Sequence, residues 1–212
     1  MKRTERPVVI GVTGIMGSGK STVARVFEEM GAARIDADAM GKQMLEEPEI
    51  AAEVVKAFGE SVRGAGGAID TGKLGRAAFA TETGAHMLDR LTRKALIGRI
   101  RTKIGELKSC APVIVVDAAL LAEWDAKPWL DVLVVVDSDE GRALERISSG
   151  GRFSEAAARL RMEHQFSRAE KARAADVLIV NDGSVEELRE KARKVFLALV
   201  VSGGDGAVIG RE

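Results

Sequence analysis

One stretch near the N-terminus restricts the possible folds of this 212-residue chain more than any other. Residues 14–21 read Gly-Ile-Met-Gly-Ser-Gly-Lys-Ser, which matches G-x-x-x-x-G-K-[ST] at every fixed position. The pattern needs a strand before it and a helix after it, because backbone N–H groups and the positive helix end surround a phosphate chain. It predicts a nucleoside triphosphate site, with Lys20 on the β- and γ-phosphates and the Ser21 hydroxyl on Mg²⁺. The residues predicted to surround the triphosphate are Gly14, Met16, Gly17, Ser18, Gly19, Lys20, Ser21 and Thr22.

The layout of the remaining chain predicts an α/β fold. Apolar runs of the kind typical of strands buried on both faces occur at residues 7–12, 33–35, 112–116, 130–136 and 177–180. Helical apolar spacing lies between them, as in the segment that follows Ser21 and stops at Gly31. This alternation predicts a parallel sheet between two helical layers, the three-layer core of P-loop proteins, with ligands at the carboxyl ends of the strands.

Two long stretches interrupt the alternation and divide the chain. Residues 49–111 contain helical patterns without a convincing strand, and residues 139–174 are rich in arginine and glutamate. Long connections in compact domains are usually functional, so we predict a helical substrate-binding insert and a lid. The alternative for each stretch is helical packing alone. The nucleotide-binding core then comprises residues 1–48, 112–138 and 175–202, followed by a flexible tail at 203–212.

Composition argues against several classes of protein. The 32 basic residues balance 32 acidic ones, tyrosine is absent and aromatic residues make up 4% of the chain, so we expect no nucleic-acid partner. The apolar run after the charged N-terminus is too short for a signal peptide, and no run approaches the ~20 residues of a membrane span. The single cysteine, Cys110, suits a reducing compartment. We therefore expect a cytoplasmic protein that needs no membrane.

The other motifs distinguish between classes of P-loop protein. Guanine-specific switch proteins read their base with Asn-Lys-x-Asp, whereas Asn181 is followed by Asp-Gly. Mechanical ATPases usually end an apolar strand in Asp-Glu. Here Asp117 ends the apolar run and Ala118 follows it, so the glutamate that polarises water is missing. Transfer to an acceptor other than water remains, which favours a small-molecule kinase.

Three aspartates are candidates for the chemistry of such a kinase. A carboxylate at the sheet edge has to orient or deprotonate the acceptor hydroxyl. Asp36 and Asp38 follow the second strand and would point the same way in an extended segment, so both are candidates. The alternative for Asp38 is the N-cap of a helix that starts at Ala39. Asp117 ends the third strand and is predicted to hold Mg²⁺ through water, with a strand-end turn as the alternative.

These motifs together resemble the dephospho-coenzyme A kinase family. Its P-loop is followed within one helix by Asp-Ala-Asp, as at residues 36–38. Residues 117–123, Asp-Ala-Ala-Leu-Leu-Ala-Glu, are similar to the family's Asp-x-Pro-Leu-Leu-Phe-Glu. Similar spacing of Arg-x-x-x-Gln, Lys-x-x-x-Ala-Asp and Asn-x-Gly is found at residues 161–165, 171–176 and 181–183. The order and spacing of these motifs are specific, and the resemblance spans roughly residues 8–200.

The resemblance implies an activity and a set of site residues. It implies Mg²⁺- and ATP-dependent phosphorylation of the ribose 3′-hydroxyl of dephospho-CoA, the last step of coenzyme A synthesis. It also implies that the insert binds CoA and that a lid covers the P-loop core. The residues that it brings to the site are Asp38 as the base, Asn181 and Gly183 near the adenine, and the lid arginines Arg146, Arg152 and Arg161 around the transferred phosphoryl group.

The chain departs from the family's pattern in the insert and the lid. Residues 91–93 read Leu-Thr-Arg where His-Pro often follows the leucine. Gly150 stands where a lid arginine is usual, so we assign the role of that arginine to the nearby Arg152. These departures leave two alternatives open: a kinase of another nucleotide or nucleoside, and an ATP-binding regulatory protein without transfer activity. A basic cluster on the insert either binds the acceptor's pyrophosphate or forms a solvated face; it consists of Arg90, Arg93, Lys94, Arg99, Arg101 and Lys103.

Overall fold

A five-stranded parallel sheet forms the centre of the molecule. The computed structural model describes residues 6–151 and 153–201. The strands are β1 (Val8–Thr13), β2 (Ala33–Asp36), β3 (Val113–Asp117), β4 (Val132–Asp137) and β5 (Val177–Val180), in the order β2-β3-β1-β4-β5. Every predicted apolar run lies on one of these strands, with ends that differ by at most two residues. The predicted α/β fold with a parallel sheet is confirmed.

Helices cover both faces of this sheet. On one face α1 (Lys20–Glu29) packs beside α9 (Val185–Val201), where the rings of Phe27 and Phe196 lie 5.2 Å apart. On the other face α2 (Ala37–Met44) and α5 (Glu82–Leu107) pack against β2 and β3, together with Trp124 and Trp129. The central strand β1 is buried along its whole length because its valines and isoleucine contact both helical layers.

Residues between α2 and β3 build a helical unit with a small core of its own. It consists of α3 (Pro48–Phe58), α4 (Thr71–Ala78) and α5, packed around Val54, Val62 and Leu74. A 3₁₀ turn (Glu60–Val62) and a glycine-rich loop separate α3 from α4, and the β structure in this unit is the isolated bridge between Arg63 and Ile69. The division into core, acceptor-binding insert and lid stays a prediction.

Three short helices follow β4 and lead to β5. These are α6 (Glu140–Ser149), α7 (Glu155–Glu163) and α8 (Arg168–Ala174), and side-chain N-caps at Asp139, Ser154 and Ser167 fix where each begins. A second 3₁₀ turn (Lys127–Trp129) precedes β4. Arg152 and the predicted tail at 203–212 lie outside the described residues. Among the helices described, none is both long and apolar enough to cross a membrane.

Candidate active site

The phosphate-binding turn lies where β1 ends and α1 begins. Gly17 and Gly19 have φ angles of 80° and 97°, in the left-handed region that favours glycine. A side chain at Gly14 would collide with the carbonyl oxygen of Val136 on β4. The glycines of the motif are therefore required by this backbone path, which brings Lys20 to the first turn of α1 as predicted.

Two distant amides hold this turn in place. The Nδ2 atom of Asn181, which is buried after β5, donates to the carbonyl of Ser18 at 2.7 Å. The backbone N–H of Met16 donates to Oε1 of Gln165 at 3.1 Å. Asn181 thus supports the phosphate-binding backbone directly, a contact that its predicted place near the adenine did not anticipate. Gly183 lies in the loop that follows it.

A buried carboxylate at the end of β3 carries two cations. The side chain of Asp117 is 1% exposed, and its Oδ1 accepts from Nζ of Lys20 at 2.9 Å. Its Oδ2 accepts from Nη2 of Arg34 on β2 at 2.6 Å. Nζ of Lys20 also lies 3.5 Å from Oγ of Ser21 and 3.7 Å from a carboxylate oxygen of Asp38. The residues predicted to hold phosphate, metal and acceptor therefore converge at one edge of the sheet.

The two aspartates after β2 differ in their roles. Asp36, paired with Asp117 in the β2–β3 register, accepts from the backbone N–H of Ala39 and is the N-cap of α2. The alternative that placed Asp38 at the N-cap is wrong, and so is its place in the extended segment, because β2 ends at Asp36 and α2 begins at Ala37. Asp38 lies in the first turn of α2 with 63% of its side chain exposed, so solvent or an acceptor can reach it.

The structure describes two of the three predicted lid arginines. Nη1 of Arg146 donates to Oγ of Ser138 at 2.9 Å and lies 3.5 Å from the carbonyl of Gly17, beside the phosphate-binding turn. The guanidinium of Arg161 lies over the rings of Phe79 and Phe153, at 4.9 and 4.4 Å from their centroids. Arg146 is therefore brought to the P-loop, whereas Arg161 joins α7 to the residue that follows α4.

A buried lysine supports the loop after β3. The side chain of Lys171 is 1% exposed and donates to the carbonyl of Ala119 at 2.7 Å and to Oε1 of Glu123 at 2.6 Å. Thr13, the last residue of β1, donates to the same carbonyl. Burial lowers the pKa of Lys171 and Glu123 opposes that effect, while the nearby Lys20 lowers the pKa further.

The sequence did not predict a role at the site for Arg34, Gln165 or Lys171, although Gln165 and Lys171 belong to two of the motifs that resemble the family. A signal for Arg34 was present, because a charged residue two positions before Asp36 in an otherwise apolar strand lies on the same side as that carboxylate. Gln165 contacts a residue 149 positions away, and no spacing rule links the two.

The oxygen ligands at the site suit Mg²⁺ bound together with a nucleotide. Mg²⁺ commonly takes one or two protein oxygens and fills its other positions with phosphate oxygens and water. Ser21 and Asp117 offer a hydroxyl and a carboxylate beside Lys20. Within residues 6–151 and 153–201 no group of three acidic, histidine or cysteine side chains forms a site made of protein alone. The residues present therefore fit a metal that arrives with its substrate.

Comparisons with known proteins identify what the chain is similar to. Residues 8–187 match the family model described as dephospho-CoA kinase. A curated relative from Carboxydothermus hydrogenoformans, named dephospho-CoA kinase, is 37% identical over 86% of this chain and 90% of its own. The crystal structure of TT1252 from Thermus thermophilus matches with a TM-score of 0.74 at 28% identity, covering 91% of this chain and 97% of that one. Dephospho-CoA kinase from Campylobacter jejuni shares the fold at a TM-score of 0.60 and 24% identity, covering 90% and 96%.

Proposed function

The chain belongs to the dephospho-CoA kinase family and phosphorylates dephospho-CoA with ATP in coenzyme A synthesis, and we propose that the acceptor is the ribose 3′-hydroxyl, activated by Asp38. The observation that carries this proposal is the convergence of Lys20, Ser21, Asp38 and Asp117 at the carboxyl ends of β1, β2 and β3. Ligands of parallel α/β sheets bind at that edge.

The P-loop binds the triphosphate in this proposal. Its backbone N–H groups and the start of α1 face the phosphates, and Lys20 exchanges its ion pair with Asp117 for the β- and γ-phosphates. Ser21 and Asp117 hold Mg²⁺, which neutralises phosphate charge when it is bound. Arg146 supports the turn from the side of Gly17.

Asp38 acts on the acceptor. Its exposed carboxylate, 3.7 Å from Nζ of Lys20, takes the proton of the 3′-hydroxyl as that oxygen bonds to the γ-phosphorus. The bond between the γ-phosphorus and the oxygen that bridges it to the β-phosphate breaks, and ADP leaves. The acceptor rests on residues 49–111, since α5 of that unit packs against α2, the helix that carries Asp38. The segment at 139–174, which brings Arg146 to the P-loop and Arg161 to Phe79, closes over the reacting groups.

An acceptor panel tests the proposal. The protein is incubated with ATP, Mg²⁺ and either dephospho-CoA, nucleoside monophosphates or nucleosides, and phosphorylated products are identified by mass spectrometry and phosphorus NMR. We expect transfer to dephospho-CoA at the 3′ position. Faster transfer to another acceptor would favour the nucleotide or nucleoside kinase instead. ATP binding without transfer to any acceptor would favour the regulatory alternative.

The proposal extends to the place of the reaction. The single exposed Cys110 suits a reducing compartment, so we place the enzyme in the cytoplasm. Fractionation of cells that produce the protein, followed by an assay of dephospho-CoA phosphorylation in each fraction, tests this assignment. Activity confined to a non-cytoplasmic fraction would contradict it.

A further inference from the structure

Arg34 on β2 joins Asp117, the carboxylate proposed for the metal, to Asp36, the N-cap of the helix that carries Asp38. Its Nη2 atom donates to Oδ2 of Asp117 at 2.6 Å and to Oδ2 of Asp36 at 3.0 Å. Its side chain is 16% exposed, and Nη1 lies 3.7 Å from a carboxylate oxygen of Glu28 on α1. A guanidinium so placed is held by acidic groups from two neighbouring strands and from the helix that follows the P-loop.

The contact with Asp117 fixes which of its oxygens faces the P-loop. Lys20 takes Oδ1 and Arg34 takes Oδ2, so the two cations divide the carboxylate between them. Lys20 leaves when it turns to a triphosphate, whereas Arg34 has no phosphate to follow and stays. Oδ1 then remains directed at the space that Lys20 has left, beside the hydroxyl of Ser21.

The contact with Asp36 fixes the start of α2. Asp36 uses Oδ1 to cap α2 and Oδ2 to accept from Arg34, so this one side chain joins the helix to the guanidinium. Asp38 lies in the first turn of the same helix. A shift of Arg34 would therefore move the carboxylate proposed for the metal and the helix that carries the proposed base.

We propose that Arg34 is a positioning residue that sets the Asp117 carboxylate for the metal and the start of α2 for the acceptor hydroxyl. This rests on the proposed assignments of Asp117 and Asp38. Burial alone would lower the pKa of Arg34, but the carboxylates of Asp117, Asp36 and Glu28 outweigh it and the pKa is raised. The guanidinium is therefore charged at every pH at which the enzyme is assayed.

The test measures how strongly Mg²⁺ increases the affinity of the protein for nucleotide. ADP affinity of the whole protein is measured by titration calorimetry with Mg²⁺ and with EDTA, and the ratio of the two affinities is compared between variants. Loss of a group that orients a metal ligand typically costs 10–100-fold in metal affinity, so Arg34→Met lowers this ratio by about tenfold. Arg34→Lys recovers most of it, because both contacts come from one nitrogen that an ammonium can replace. Arg189→Met is the matched control. It removes an ion pair with Glu29, which follows Glu28 on α1, and leaves the ratio unchanged.

Two further variants distinguish a wrong role for Arg34 from a wrong assignment of Asp117. Arg34→Gln keeps a polar side chain and gives the same fall in the ratio, so the test survives if Arg34→Met does not fold. A folded variant of either kind with the wild-type ratio overturns the role of Arg34. Asp117→Asn tests the assignment of Asp117 on which the proposal rests. An unchanged affinity ratio in Asp117→Asn refutes Asp117 as the metal carboxylate. A lowered ratio in Asp117→Asn, together with an unchanged ratio in the Arg34 variants, refutes only the role of Arg34.

Discussion

At the scale of single residues, Lys20 and Asp117 form an ion pair that a ligand has to open. The pair is buried on the Asp117 side, so removing Lys20 alone would leave a desolvated carboxylate with Arg34 as its remaining partner. A ligand that brings its own divalent cation replaces the charge that Lys20 withdraws. The arrangement thus favours nucleotide with metal over nucleotide alone.

Asp38 gives the first prediction. Asp38→Asn lowers the rate of dephospho-CoA phosphorylation by ~10²-fold or more, the usual contribution of a positioned acid or base. ADP affinity and thermal stability change little, because the side chain is mostly exposed and Asp36 supplies the cap of α2. Steady-state kinetics and calorimetry measure the two effects. A variant that turns over at the wild-type rate would remove Asp38 from the reaction.

Lys171 gives the second prediction. Lys171→Met leaves Glu123 without its buried cation, and breaking such a pair costs about 3–5 kcal/mol in the free energy of unfolding. Urea denaturation measures the loss. Lys191→Met, which removes an exposed pair with Asp182, serves as the control and has a much smaller effect. Equal losses in the two variants would contradict the special role of the buried pair.

The lowered pKa of Lys171 gives a third prediction, with a defined sign. Just below the ordinary lysine pKa of 10.5, Lys171 keeps its proton in the unfolded chain but has released it in the folded protein. The free energy of unfolding therefore increases with pH in this range. We expect the slope of stability against pH in this alkaline range to be more positive for the wild type than for Lys171→Met. Denaturation series at several alkaline pH values check it, and parallel slopes would refute it.

At the scale of elements, the P-loop depends on backbone angles that glycine alone adopts cheaply. Gly19→Ala forces a methyl group into the left-handed region and to within 2.6 Å of Nδ2 of Asn181, so we expect a loss of about 1–3 kcal/mol and weaker ADP binding. Gly66→Ala is the matched control, because a methyl group there meets open space. Thermal unfolding and calorimetry separate the two. Unchanged ADP affinity in Gly19→Ala would contradict the required geometry.

The sequence predicted elements well wherever the signal was local. Uniform apolar runs identified all five strands, and the fixed positions of the P-loop placed Lys20 at the start of α1. For the Asp-Ala-Asp segment, the extended backbone at Asp38 and the alternative N-cap at that residue were wrong, because β2 ends at Asp36 and Asp36 is the cap of α2. Asp38 as the base stays a prediction. Arg34 and Gln165 reach partners 83 and 149 residues away, and single-sequence spacing does not encode such contacts.

At the scale of the whole molecule, the residue after α4 meets the segment after β4. The ring of Phe79 lies under the guanidinium of Arg161 and 5.7 Å from the ring of His164. The guanidinium of Arg161 also lies against Gly75 on α4, where a Cβ atom would displace it. These contacts join the predicted insert to the predicted lid.

Phe79 gives the prediction for this scale. Contacts of aromatic rings contribute ~0.5–1.5 kcal/mol. Their loss in Phe79→Ala favours local opening of residues 139–174, so we expect tryptic cleavage within that segment to be faster by up to about tenfold. The melting temperature of the core changes little, since the ring lies outside the sheet and its clusters. Phe166→Ala, an equal truncation at an exposed ring, is the control. Equal cleavage rates in the variant and the wild type would refute the junction.

The hydrogen bond from Asn181 to Ser18 has a consequence for synthesis on the ribosome. The turn that binds phosphate leaves the ribosome before its supports at Gln165 and Asn181, which follow 149 and 163 residues later. An amide donor that anchors a loop cannot act before it has been made. We therefore expect a nascent or prematurely terminated chain that ends before Asn181 to lack this support of the P-loop and to bind ATP less well than the whole chain.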